Sequence, residues 1–191
     1  MGYSITWCAV REEAADQLLS HLGLSVTAET EEDPESRFST ARLTTGWRLI
    51  WSNRNACPVL TKGLDAFSGT HEVVVCSIEE HVMASSAELR VGGNRKWWVS
   101  HEGEDGPKGL DTDGELPECF ASIRDEMDSA QRAEGGDEAD VDYIFEIPLK
   151  VAQTLVGFKH DENYESVIKG GFMVLSDGTS KKGFLSRLFG K

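Results

Sequence analysis

The sequence predicts an α+β fold, a mainly antiparallel sheet with two to four helices packed on one face, in a single domain. Three observations lead there. At 191 residues the chain is long enough for one well-packed core and too short for two. Its apolar runs are mostly of strand length, and several follow one another across short turns. Helical patterns interrupt these hairpins irregularly, whereas a doubly wound parallel sheet would alternate strand and helix strictly.

Residues 3–10 alternate large and small side chains and read as a strand. Residues 12–22 read as a helix, with acids in the first turn, Leu18, Leu19 and Leu22 on one side and Gly23 as the stop. The acidic stretch 29–35, which contains Pro34, reads as a loop. Residues 39–43 and 47–52 flank Thr44-Thr45-Gly46 as a hairpin, and a short helix is expected over 60–67. Residues 72–79, with Val73, Val74, Val75 and Ile78, form the strongest buried-strand pattern. Strands 81–91 and 95–101 are joined by Gly92-Gly93-Asn94.

From residue 101 the composition changes: residues 101–142 hold 15 acids and three bases. Within them 117–133 reads as a helix, with Pro117 in its first turn and Phe120, Ile123 and Met127 on one face. Residues 142–147 are expected to be a strand, Pro148 to open a helix over 149–158, and 172–175 to be the last strand. The organisation is thus an acidic α+β domain over 1–175, a linker over 176–183 and an amphipathic basic tail over 184–191.

The net charge of −14 hides a split. The last eleven residues carry four bases and no acid, so the remaining 180 carry all 33 acids against 15 bases (the 19 of the chain less these four). Phosphate backbones repel such a body, which excludes nucleic acid as the expected partner, and a basic protein would be attracted from a distance. The four cysteines are widely separated, and Cys8 and Cys76 lie in strand-like runs as small hydrophobes. No signal-peptide pattern opens the chain and no run approaches a membrane span. The expected compartment is the reducing cytoplasm.

In the tail, Phe184, Leu185, Leu188 and Phe189 share one helical face, with Lys181, Lys182, Arg187 and Lys191 supplying the charge. Such a segment can lie in a membrane interface, rings and leucines among acyl chains and cations among anionic headgroups. Its Lys-Lys-Gly-Phe-Leu-x-Arg-Leu-Phe-Gly arrangement resembles the C-terminal membrane-targeting sequence of the bacterial cell-division ATPases of the MinD family. It matches at Lys181, Lys182, Gly183, Phe184, Leu185, Arg187, Leu188, Phe189 and Gly190 and departs at Ser186 and Lys191. The resemblance implies a segment that becomes helical on anionic lipid at the inner face of the cytoplasmic membrane. It covers about a twentieth of the chain, and the body has no G-x-x-x-x-G-K-[ST] phosphate loop. Each buried apolar side chain contributes roughly 1.5–3 kcal/mol at best and each cation about 1 kcal/mol. Against these stand the ordering of a short helix and lipid repulsion of the acidic body. Stable recruitment then requires a homodimer or a partner. The alternative is that the tail docks onto protein, including its own domain.

Other chemistry is sparser. His71, His81, His101 and His160 each adjoin carboxylates, and His81 with His101 is the best pair for a metal site, since neighbouring strands can bring them together. Adjacent strand residues point to opposite faces, so none is a ready-made chelate. A Ser85–His81 nucleophile is a further candidate. Neither H-E-x-x-H nor G-x-S-x-G occurs, and no cofactor is expected. Trp97 and Trp98 point to opposite faces, so one is expected on the less buried side. With Glu102, Glu104 and Asp105 they form a candidate partner surface.

These readings converge on a non-enzymatic acidic binding protein, immunity- or inhibitor-like, that captures a basic protein and reaches the membrane conditionally. The alternatives are a metal-dependent hydrolase using the histidine–carboxylate groups and a pure membrane adaptor.

Overall fold

The computed structural model describes residues 2–53, 57–61 and 63–178. Its strands are β1 (Ser4–Arg11), β2 (Ser25–Glu31), β3 (Phe38–Leu43), β4 (Trp47–Asn53) and β5 (Val73–Glu79). They continue with β6 (Ala84–Val91), β7 (Asn94–His101), β8 (Leu110–Gly114) and β9 (Ile168–Ser176). All nine belong to one sheet of order β2-β9-β3-β4-β1-β5-β6-β7-β8, with every pairing antiparallel. The helices are α1 (Ala15–Leu22), the five-residue α2 (Cys57–Thr61) and α3 (Leu64–Ser68), then α4 (Cys119–Ala133) and α5 (Glu146–Val156).

The antiparallel α+β class is the one expected, but the helices cover both faces of the sheet instead of one. The cause lies in the central strands. β1, β4 and β5 are apolar at both parities, and nearly every residue in them is buried. Trp7, Ala9, Leu49, Trp51, Val74 and Cys76 pack with Phe120, Ile123 and Met127 of α4 and Ile147, Val151 and Ala152 of α5. Cys8, Val10, Ile50, Val73 and Val75 pack with Leu18 and Leu19 of α1, Leu60 of α2 and Leu64 and Phe67 of α3. A strand apolar on both sides needs cover on both.

Four further differences have local causes. Residues 29–31 of the span expected to be an acidic loop lie in β2, an edge strand whose Ser-Val-Thr-Ala-Glu-Thr-Glu sequence is largely exposed, while 32–35 are irregular as expected. β8, Leu-Asp-Thr-Asp-Gly, is the opposite edge and equally polar. Polar edges resist pairing with other chains and carry no apolar signature. The single helix expected over 60–67 is two turns, parted at Gly63 with φ 73°. Residues 142–147 are not a strand, and α5 starts at Glu146 with Pro148 inside its first turn, where its missing N–H is not needed.

α1 ends at Gly23, as its sequence indicates, with φ 71° and the Leu24 amide donating to Leu19 O at 2.8 Å. None of the helices among the described residues is long and apolar enough to cross a membrane. The expected amphipathic tail over 184–191, with Lys181 and Lys182 before it, and most of the linker lie outside the described residues.

Candidate functional site, an acid-rimmed apolar groove

Large apolar side chains left in solvent are the starting point. Among the described residues these are Tyr3, Val26, Val82 and Val141, 42–55 % exposed. One of the four, Val141, lies on the α4–α5 side of the sheet, where its carbonyl accepts from Gln131 of α4. There a groove of about 690 Å³ is lined by Val141, Met83, which follows Val82, and Gly2, which precedes Tyr3. Met127, Tyr143 and Phe145 complete its apolar floor, and Glu80, Asp142, Glu146 and Glu162 bring carboxylates to it. Lys150 and Lys159 are its two cations.

Each wall is fixed by identifiable contacts. The 80–83 wall is a 3₁₀ turn in which the Tyr3 amide donates to Glu80 Oε2 at 2.8 Å. Met83 leaves it at φ 51°, the one non-glycine residue among those described with positive φ. A β-carbon on Gly103 would stand 2.5 Å from the Val82 carbonyl oxygen, so β7's continuation presses directly against this turn.

The 136–145 wall is held from two sides. Buried Gln131 of α4 donates from Nε2 to the Gly136 and Val141 carbonyls at 2.8 and 3.1 Å, and its Oε1 accepts the Tyr143 amide at 2.8 Å. From the sheet, His101 Nε2 is 2.8 Å from Asp142 Oδ2, and Asp142 Oδ1 accepts the Ile144 and Phe145 amides at 3.0 and 3.3 Å. The Ser85 hydroxyl, opposite His101 in register, donates to the Phe145 carbonyl at 2.7 Å. His101 Nδ1, fully buried, has no hydrogen-bond partner among the described residues.

Beside the groove lies a charged cluster. Lys159, its side chain 7 % exposed, contacts Asp161 at 2.6 Å and Glu146 at 3.1 Å. Buried His160 lies 3.4 Å from Glu80, its ring edge-on to Tyr3 at 4.8 Å. Burial acts to lower the Lys159 ammonium, but the Asp161 hydrogen bond and Glu146 charge prevail and raise it. Burial acts to raise Asp161, but the Lys159 hydrogen bond and the His160 and Lys159 charges prevail and lower it. A lowered carboxyl contributes stability above its ordinary value of 3.8 that is lost as pH falls through its folded value. A raised ammonium contributes below 10.5 and loses it as pH rises through its folded value. The pair therefore stabilises the neutral range and fails at both extremes. Lys159→Met should lower stability at pH 7 and flatten the fall below about pH 4, as read by urea unfolding. An unchanged acid limb would contradict this assignment.

The residues singled out from sequence fare unevenly. Trp97 is 2 % exposed in the α4–α5 core, which removes it from any partner surface. Trp98 is half-buried, with the Arg95 guanidinium 5.2 Å from its ring. Glu102 and Glu104 are exposed, and the Asp105 side chain lies outside those described. Ser85 and His81 share no hydrogen bond, because Ser85 is engaged with Phe145 while exposed His81 contacts Glu79 at 2.8 Å. His81 and His101 do not form a metal centre either. Among the described residues no three His, Cys, Asp or Glu side chains are placed to hold an ion, which weighs against a metal-dependent hydrolase. Burial pushes the Cys8 thiol up to about 12 and the Cys76 thiol up as well, so neither is an activated nucleophile.

Two other cavities are less suited to a macromolecule. One of about 190 Å³ at the ends of β1, β5 and β6 is lined by Ser4, Thr6, Ser77 and Ser86. The other, about 630 Å³ between α1 and α3, has His71 stacked on Phe67 at 4.8 Å and held by Gln17. Neither is lined by any of the exposed apolar side chains. The groove was missed in the sequence because it joins segments 80, 127, 141 and 159 positions along the chain. Its one local signal is Val141, an isolated apolar residue inside the acidic run 137–142. Comparison with protein-family models, curated proteins and solved structures finds no match to this chain.

Proposed function

We propose that the chain is a non-enzymatic acidic binding protein, of immunity or inhibitor type, that captures a basic protein partner in the acid-rimmed groove. The exposure of Val141 on a groove floored by Met83, Met127, Tyr143 and Phe145 and met by four carboxylates is the observation that carries this reading. An exposed apolar patch inside a charged rim has the composition of a protein-binding surface, with a desolvated centre and a polar margin. Four lining carboxylates, one of them (Glu146) paired with Lys159, favour an arginine- or lysine-bearing segment whose apolar residues reach the methionine floor. The acidic body steers such a partner from a distance, and methionine adapts to its shape. In this reading the protein works in the cytoplasm, and its basic tail brings it conditionally to the inner face of the membrane.

Affinity capture with the full chain tests this. The retained partner should be basic, its retention should fall with salt, and Met83→Asp with Val141→Asp should weaken it at least about tenfold, the value of 1.4 kcal/mol. Equal retention by wild type and double variant would remove the groove from the account. Loss with tail substitutions alone would favour the membrane adaptor.

A further inference from the structure

The groove and the tail carry complementary chemistry. Thirteen residues follow Gly178, and the last eleven present Lys181, Lys182, Arg187 and Lys191 with no acid, beside Phe184, Leu185, Leu188 and Phe189. That is the basic, amphipathic pattern the groove's carboxylates and apolar floor suit.

The sheet also puts them within reach. Val174 of β9 is opposite Ser39, Ser39 opposite Trp51, and Trp51 opposite Trp7. β9 therefore leaves the sheet at the end where β1 begins, and β5 arrives at that same end to enter the 80–83 turn. From β9 to β5 are four interstrand steps, about 19 Å in all. Thirteen extended residues span up to about 43 Å. With the last eight helical, about 12 Å, and five extended, about 17 Å, the reach is still roughly 29 Å.

We infer that residues 179–191 are an intramolecular ligand of the groove, held there until an anionic membrane takes them away. The inference rests on the groove being a receptor for basic amphipathic segments, as proposed above. Tethering gives the tail an effective concentration in the millimolar range, so even millimolar intrinsic affinity fills the site about half the time. A partner must displace it, and anionic lipid removes the competitor by binding the same apolar face. Membrane contact then opens the capture site, and the tail's modest affinity for either surface becomes the condition for switching.

The test uses the full chain with ¹³C-methyl methionine. Met83 and Met127 line the groove, whereas Met173 sits on β9 opposite Thr40. Phe184→Asp with Leu188→Asp should shift the Met83 and Met127 methyl resonances and leave Met173 in place. Bicelles containing phosphatidylglycerol should move the same two resonances of the wild type in the same direction. A synthetic peptide of residues 179–191 should bind the variant about twofold more tightly than it binds the wild type at that half-occupancy, because the wild type's own tail competes. If Met83 and Met127 are identical in wild type and variant, the inference is overturned. The added peptide then separates the two failures. If it still moves those methyls in the variant, the groove remains a receptor for such segments and only self-docking falls. If it moves neither methyl, the receptor reading falls too. No response to bicelles overturns the release by lipid.

Discussion

Asp142→Ala is expected to lower the stability of the fold by about 3 kcal/mol, because it removes a charge-assisted contact and two backbone hydrogen bonds together. One carboxylate oxygen serves the Ile144 and Phe145 amides at the entry to α5, and the other meets His101. With Asp142 gone, the fully buried imidazole has no hydrogen-bond partner on either nitrogen among the described residues. A buried polar group left unpaired costs its full desolvation, which is why this change should exceed an ordinary surface loss. Asp142→Asn keeps the shape and an acceptor and should recover more than half. Urea unfolding of the three proteins checks the order, and equal stability of the alanine variant and wild type would show that the contact contributes nothing.

Gln131→Ala should cost about 2–3 kcal/mol, from three side chain–backbone hydrogen bonds and the cavity left behind. Gln131 is 4 % exposed, and its amide satisfies both a donor and two acceptors of residues 136–143. Since Asp142 and Gln131 hold the same wall from opposite sides, their effects should not add, and the double variant should lose less than the sum. Hydrogen exchange would show the cause: amides of 136–145 should open in either variant while those of β1 and β5 stay protected. Uniform loss of protection through the sheet would mean that neither residue acts locally.

The physical reasons for what the sequence does and does not disclose differ by element. β1, β4 and β5 were legible because burial writes itself into apolar runs. The same runs also contain the argument for helices on both faces, since Cys8 and Trp7 cannot share one core. Edge strands β2 and β8 are held by backbone pairing and leave no such trace. At 142–147, the alternation of Tyr143, Phe145 and Ile147 imitates a strand, whereas the Asp142 carboxylate folds the chain into a turn before α5. The groove was not legible for a further reason. Its charges and apolar side chains become neighbours only through tertiary contacts at Gln131, Asp142 and Gly103.

In the proposed function, the acid-rimmed groove is where a basic partner sits. Hydrogen exchange of the full chain, alone and saturated with its captured partner, tests it most directly. Amides of the 80–83 turn and of residues 141–146 should exchange at least about tenfold more slowly in the complex, equivalent to 1.4 kcal/mol or more. Protection confined to α1 and α3 around His21 and His71, with the groove amides unchanged, would contradict it.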